Sequence, residues 1–171
     1  MLISEDYRAQ QQELHRNAHY GVASSQYAPW VAQVIADYGV TELLDYGAGK
    51  GRLGEALFIS GFTGDYRPYD PAMPYWADEP RPAEMVACID VLEHIEPDLL
   101  DDVLDDLQRV TCRVGAFTVH TGPAKKVLPD GRNAHLTQRP AAWWKEQLAR
   151  RFNVVRTEES GHAGLFVVTP L

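Results

Sequence analysis

The sequence of 171 residues has few cysteines, few basic residues and no long apolar run. Its two cysteines, Cys88 and Cys112, form no CxxC pair and no zinc-finger spacing, which excludes a disulfide scaffold and a zinc finger and favours a reducing compartment. No stretch approaches the roughly 18 apolar residues that span a bilayer, and the polar, acidic N-terminus is unlike a signal peptide. We therefore expect a cytoplasmic location and no membrane partner.

The charge balance is acidic, with 16 lysines and arginines against 24 acids and a formal net charge of −8. Sequence-independent binding to nucleic acid requires many phosphate contacts, so this balance disfavours nucleic acid as a non-specific partner. The loop over residues 125–135 reverses the sign locally, with three bases and one acid. This reversal favours a small-molecule or anionic substrate.

The chain contains no repeat and no linker rich in glycine, serine or proline, so we expect one domain over residues 1–171. Apolar spacing predicts helices at 25–38, 53–59, 97–110 and 141–152. Short apolar runs predict strands at 41–46, 65–69, 85–89, 116–120, 154–158 and 165–169. This alternation predicts an α/β fold with a Rossmann-like, mostly parallel sheet, helices on both faces and a terminal antiparallel strand.

A glycine-rich turn follows the strand at 41–46 and contains Gly47, Gly49 and Gly51. It is not a P-loop, because the lysine of the turn is followed by glycine instead of serine or threonine. A dinucleotide-binding fingerprint is weakened, because Arg52 stands where the third glycine belongs. A nicotinamide-dependent oxidoreductase is further disfavoured because the short chain leaves no substrate domain.

Three segments together resemble class I S-adenosylmethionine-dependent methyltransferases. Residues 43–51, LLDYGAGKG, resemble the first motif of that family, an acid followed by GxGxG. Asp70 ends the next strand, where the family has an acid that accepts hydrogen bonds from the ribose hydroxyls. Residues 88–95, CIDVLEHI, resemble its fourth-strand segment. Because the three motifs occur in the family's order, the resemblance is specific, and it covers residues 24–121, the cofactor-binding half.

The resemblance implies S-adenosylmethionine as the cofactor and transfer of its methyl group to a small or medium-sized acceptor. A non-catalytic module that binds S-adenosylmethionine or S-adenosylhomocysteine and regulates a partner is the alternative. At the glycine turn, the implied partner of the cofactor's ammonium is the carboxylate of Asp45. The full set of implied cofactor contacts is Asp45, Tyr46, Gly47, Ala48, Gly49, Asp70, Pro71, Asp90, Val91 and Tyr20.

The segment between the second and third predicted strands, residues 71–84, is short and rich in proline. Family members usually have a helix and a strand there, so we expect the third edge strand to be short or missing. The nearest candidates for contact with adenine are then Met73, Trp76 and Ala77.

A looser resemblance to short methyltransferase-like proteins often encoded by phages and prophages rests on residues 13–21, 125–135 and Trp143–Trp144. It implies that residues 1–23 fold over the cofactor as a lid; a frayed terminal helix is the equal alternative. His15 and His19 are four residues apart but lack the glutamate of HExxH, and we expect no metal site.

Methyl transfer from a sulfonium is a direct displacement, and an acceptor that carries a proton needs a base. The candidate bases are His94, His120 and His135, with Glu93 as an orienting residue or second base. Residues 122–171 supply the substrate loop and the C-terminal helix and strands.

Overall fold

A single sheet of six strands forms the centre of the structure, a computed structural model that describes residues Met1–Leu171. The strands are β1 Glu42–Tyr46, β2 Asp65–Tyr69, β3 Ala83–Ile89, β4 Thr111–His120, β5 Phe152–Ser160 and β6 Ala163–Pro170. Their order is β2-β1-β3-β4-β6-β5. The first four strands are parallel, whereas β6 is antiparallel to β4 and β5. The predicted Rossmann-like fold class is therefore confirmed.

Five α-helices surround the sheet. They are α1 Glu5–His15, α2 Ala28–Tyr38, α3 Arg52–Ile59, α4 Leu100–Val110 and α5 Ala141–Ala149. Side chains alternate between the two faces of a strand, so consecutive residues of β1 enter different cores. Leu43 packs in the cluster formed with α2 and α3, and Leu44 in the cluster formed with α4 and α5. Helices therefore cover both faces, as predicted.

The longest predicted helix, 97–110, begins with a 3₁₀ turn at Pro97–Leu99 and becomes α-helical at Leu100. Its apolar positions, such as Leu104 and Leu107, are fully buried, whereas the acids of its first turn face solvent. The last helix is shorter than predicted because Phe152 is buried in β5 and pairs with Pro170. The fourth strand is longer than predicted, since its pairing with β3 already begins at Thr111.

The family's third strand is absent, as expected: no strand lies between β2 and β3, and β2 forms one edge of the sheet. The carboxyl ends of the four parallel strands share one edge, where open α/β sheets bind ligands. None of the helices is long and apolar enough to cross a membrane.

The N-terminal segment, residues 1–23, packs against this edge of the sheet. Ser4 caps α1 by accepting a hydrogen bond from the amide of Tyr7, and its hydroxyl donates to Glu96 Oε1 at 2.6 Å. The amide of Ser4 donates to Glu96 Oε2 at 2.9 Å. These contacts fix the start of α1 beside the turn that follows β3.

Candidate functional site

A cavity of about 570 Å³ lies at the carboxyl edge of the parallel strands. Its lining comes from the N-terminal segment, the turns after β1, β2 and β3, and the loop after β4. Most of the predicted site residues line it, namely Tyr20, Tyr46, Gly47, Ala48, Gly49, Asp70, Pro71, Asp90, Val91, His94, His120 and His135. Asp45 and Glu93 do not. The structure thus brings all three sequence motifs to one cavity.

Two positions of the glycine turn require glycine. Gly47 has a φ of 80°, and a Cβ there would lie 2.4 Å from Val91 Cγ2. Gly49 has a φ of 54°, and a Cβ there would lie 3.0 Å from the carbonyl oxygen of Gly21. Side chains would therefore close the space between the turn, the β3 turn and the N-terminal segment.

Asp70 joins the glycine turn to the end of β2. Its Oδ2 accepts a hydrogen bond from the amide of Gly49 at 2.9 Å, and its Oδ1 accepts one from the amide of Ala72 at 2.9 Å. Each carboxylate oxygen can accept a further hydrogen bond. Because Asp70 lines the cavity, the carboxylate suits a ligand with neighbouring hydroxyl groups.

Asp45, the expected partner of the cofactor's ammonium, does not line the cavity. Asp45 is only 2% exposed, and its Oδ2 accepts a hydrogen bond from the hydroxyl of Tyr66 at 2.6 Å. Burial raises the pKa of this carboxyl to about 7, although the Tyr66 hydrogen bond lowers it. Asp45 therefore supports the turn from inside the protein.

The expected adenine contacts Met73, Trp76 and Ala77 do not line the cavity. The indole of Trp76 lies 3.1 Å from where a Cβ on Gly51 would be, so it packs against the turn. In their place, this part of the chain contributes Pro71 and Ala72 to the lining.

The N-terminal segment covers the cavity through one face of α1, which carries Tyr7, Gln11 and His15. Tyr20 Oη donates to Gln11 Oε1 at 2.9 Å, Gln11 Nε2 donates to Tyr7 Oη at 2.7 Å, and Tyr7 Oη donates to the carbonyl oxygen of His94 at 2.5 Å. Sequence analysis did not single out Tyr7 or Gln11. Their spacing of four residues, continued by His15, is the signal that marks this helix face.

Lys50 connects the glycine turn to the same segment. Its ammonium donates to the carbonyl oxygen of Asn17 at 2.9 Å and to that of Tyr20. His15 lies beside Gly21, so bulk at either residue would move the segment. Contacts with the glycine turn therefore hold the N-terminal segment just after α1 and at the bend formed by Gly21.

Three histidines meet at the end of the cavity formed by β3 and β4. The ring centres of His94 and His135 are 4.7 Å apart, and those of His135 and His120 are 4.9 Å apart. Burial lowers the pKa of His94 to about 3 and also lowers the pKa of His135. Both rings are therefore neutral at physiological pH.

Glu93 lies behind these histidines and is fully buried. Its Oε1 accepts a hydrogen bond from the amide of His120 at 2.8 Å, whereas its Oε2 has no hydrogen-bond partner. Burial, and then the nearby Asp90, raises the pKa of Glu93 well above its usual range. Asp90 has a φ of 53° and accepts a hydrogen bond from the Thr118 hydroxyl at 2.7 Å. Glu93 thus positions the end of β4 and does not line the cavity.

Only two of the three basic residues in the loop after β4 line the cavity. Lys125 and Lys126 line the cavity, whereas Arg132 points away and pairs with Asp130 at 2.7 Å. Asn133 holds the loop together, because it accepts from and donates to the backbone of Ala124. The two lysines therefore form the basic part of the cavity's edge.

No protein-family model and no curated protein matches the sequence. Solved structures do. A 1,6-didemethyltoxoflavin-N1-methyltransferase from Burkholderia thailandensis, with 1,6-didemethyltoxoflavin and S-adenosylhomocysteine bound, is 17% identical with a TM-score of 0.71 over 99% of this chain and 91% of its own. A magnesium protoporphyrin IX methyltransferase from Synechocystis PCC 6803, with S-adenosylmethionine bound, is 15% identical with a TM-score of 0.61 over 98% and 92%.

A further neighbour, an S-adenosylmethionine-dependent methyltransferase from Aquifex aeolicus, is 16% identical with a TM-score of 0.61 over 96% of this chain and 98% of its own. At these identities the likeness establishes the fold. The chain therefore has the fold of class I methyltransferases, although its sheet lacks the third strand.

Proposed function

We propose that the protein is a class I S-adenosylmethionine-dependent methyltransferase. The observation that carries this proposal is the carboxylate of Asp70 beside Gly49 at the cavity, in a fold whose solved neighbours contain S-adenosylmethionine or S-adenosylhomocysteine. The glycine turn, free of side chains at Gly47 and Gly49, fits the amino-acid end of that cofactor. Asp70 fits its ribose hydroxyls, and Tyr20 covers the same end of the cavity from the N-terminal segment.

When bound, the cofactor supplies an electrophilic methyl group on a sulfonium. The residues of this chain must then exclude water, orient the acceptor and receive its proton. Tyr7, Gln11 and Tyr20 cover the cavity, which limits the access of water. His94 and His135 also line the cavity, and Nε2 of each is free because Nδ1 is hydrogen-bonded to a backbone carbonyl. The low pKa of His94 makes it a weak base, so His135 is the better candidate to accept the proton of the acceptor.

The acceptor is a small molecule that carries negative charge. Lys125 and Lys126 support this part of the proposal, because two basic residues line the exposed edge of the cavity in a protein with a net charge of −8. We also propose a cytoplasmic location and a relationship to the short phage-encoded methyltransferase-like proteins. Both statements rest on the sequence alone.

The test is thermal unfolding with S-adenosylhomocysteine, S-adenosylmethionine and a reduced nicotinamide in parallel. A ligand at about 100 times its dissociation constant adds about 2.7 kcal/mol to the stability of the folded state. We expect stabilisation by the two sulfur compounds and none by the nicotinamide. Stabilisation by the nicotinamide alone would refute the proposal and leave only the fold.

Asp70→Ala sharpens this test, because it removes the carboxylate that the proposal assigns to the ribose. We expect the variant to remain folded by circular dichroism and to lose the stabilisation by S-adenosylhomocysteine. Asp78→Ala, at an exposed acid outside the cavity, is the matched control. Transfer of labelled methyl groups to an acidic small-molecule fraction separates the enzyme from a non-catalytic binding module.

A further inference from the structure

We infer that Glu93, His94 and His135 form a binding site for one divalent transition-metal cation at the edge of the cavity. One side-chain donor atom from each residue lies within 4.8 Å of the other two. The sequence predicts no metal site from the spacing of His15 and His19, and His135 is far from the adjacent pair Glu93 and His94 along the chain. The loop after β4 brings it back to them.

The hydrogen bonds of the two histidines fix their free nitrogen atoms. His94 Nδ1 lies 2.8 Å from the carbonyl oxygen of Ala134, and His135 Nδ1 lies 2.7 Å from that of Gly122. A carbonyl oxygen only accepts, so Nδ1 carries the hydrogen in each ring and Nε2 carries a lone pair. Metal-binding histidines are commonly held in this way, with the second nitrogen donating to a carbonyl or carboxylate.

Glu93 provides an independent observation. It is fully buried, and its Oε2 has no hydrogen-bond partner. Its Oε1 is already bound by the amide of His120, which fixes the direction of the carboxylate. A buried carboxyl oxygen without a partner is costly, and Glu93 supplies one of the three donor atoms that lie close together. A cation at their centre satisfies all three atoms.

The donor set indicates the class of cation. Two imidazoles and one carboxylate suit Zn²⁺, Mn²⁺, Fe²⁺ or Co²⁺, whereas Ca²⁺ and Mg²⁺ prefer oxygen donors alone. Metal–ligand distances of about 2.0–2.2 Å place the donor atoms about 3–3.5 Å apart. The three donor atoms, which lie within 4.8 Å of one another, would therefore draw closer together around a cation, and the position of His135 in a loop allows such a movement.

The consequence for chemistry rests on the proposed function. His94 and His135 line the cavity, so a cation held by them faces the acceptor and leaves coordination positions open to it. An acceptor hydroxyl there loses its proton to water more readily; its oxygen then bonds to the methyl carbon as the carbon–sulfur bond breaks. The site would therefore hold and orient an acceptor oxygen. With a cation bound, Nε2 of each histidine would be a ligand, and the proton of the acceptor would go to water instead.

The experiment uses the full chain, treated with a chelator and then titrated with Co²⁺ and with Zn²⁺. Calorimetry, the visible spectrum of Co²⁺ and native mass spectrometry measure affinity, coordination and stoichiometry. We expect one cation per chain and at least a tenfold loss of affinity in His135→Ala. His162→Ala is the matched control, since His162 stacks on His120 but lies outside the site.

Glu93→Gln is the second variant, and circular dichroism checks that each variant is folded. Equal affinity in His135→Ala and the parent protein, or no stoichiometric binding by the parent, overturns the inference. S-Adenosylhomocysteine binding to the metal-free protein is measured separately. If the protein binds S-adenosylhomocysteine but no cation, only this inference is refuted. If it binds the cation but not S-adenosylhomocysteine, only the proposed methyltransferase activity is refuted.

Discussion

The hydroxyl of Tyr66 donates a hydrogen bond of 2.6 Å to Asp45, a carboxyl that the sheet and α3 almost completely bury. Asp45 follows Leu43 by two residues, so both side chains lie on the same face of β1. Burial raises the pKa of Asp45 from 3.8 to about 7. The folded protein therefore keeps a proton on Asp45 over a pH range in which the unfolded chain has lost it.

The first prediction concerns the pH dependence of stability. Between about pH 4 and pH 7 the folded state holds more protons at Asp45 than the unfolded state, so stability falls as pH rises, by up to about 1.4 kcal/mol per pH unit. Asp45→Asn cannot ionise, so we expect it to gain stability relative to the parent between pH 5 and pH 8 in urea unfolding. Tyr66→Phe is the control: losing the hydroxyl raises the pKa further and shifts the window upward. If the unfolding free energies of Asp45→Asn and the parent protein differ by the same amount at pH 5 and pH 8, the pKa of Asp45 is not raised as proposed.

The second prediction concerns Gly47, where a Cβ would lie 2.4 Å from Val91 Cγ2 and φ is 80°. We expect Gly47→Ala to lose about 2–3 kcal/mol from strain and overlap together. Adding Val91→Ala removes the overlap and should restore part of the loss. Gly39→Ala is the matched control, because φ is 60° there and no atom lies within 4 Å, so only strain remains. Chemical unfolding of all four proteins measures the two contributions.

The third prediction concerns the contact of Lys50 with the carbonyl oxygens of Asn17 and Tyr20. We expect Lys50→Met to release the N-terminal segment, so that trypsin cuts after the exposed Arg16 several-fold faster. Arg52→Met controls for a lost charge nearby, since Arg52 pairs only with Glu55 of its own helix. Equal cleavage rates in the two variants would show that Lys50 does not hold the segment.

The fourth prediction concerns Tyr7, which is 3% exposed and hydrogen-bonded to Gln11 and to the carbonyl of His94. Tyr7→Phe leaves two buried polar atoms without a partner, so we expect a loss of about 1–3 kcal/mol in unfolding free energy. Tyr75→Phe, at a side chain that is 91% exposed, should leave stability unchanged. A Tyr7 variant as stable as the Tyr75 variant would argue against the hydrogen-bond chain across the cavity.

Much of the site was predictable because it depends on short stretches of sequence. Gly47, Asp70 and Asp90 each lie at or just after the end of a strand, and parallel strands bring their carboxyl ends to one edge. The orientation of Asp45 was also accessible from alternation along β1. The sequence-based expectation for Asp45 followed the motif and did not take the face of the strand into account.

The remaining features depend on contacts between distant parts of the chain. The approach of His135 to His94 requires the path of the loop after β4, and the cover formed by α1 requires the bond between Ser4 and Glu96. The packing of Trp76 on Gly51 depends on the path of the segment between β2 and β3. Local spacing carries no information on such contacts.

The shortened sheet has a consequence for solubility, because an exposed edge strand can pair with another chain and seed β-aggregation. At one edge, β2 contains Pro68, which has no N–H to offer, next to the charged Arg67. At the other edge, β5 ends with the exposed acids Glu158 and Glu159. Both edges are thus poor templates for a neighbouring strand, and the loss of the third strand need not make concentrated solutions of the protein prone to fibril growth.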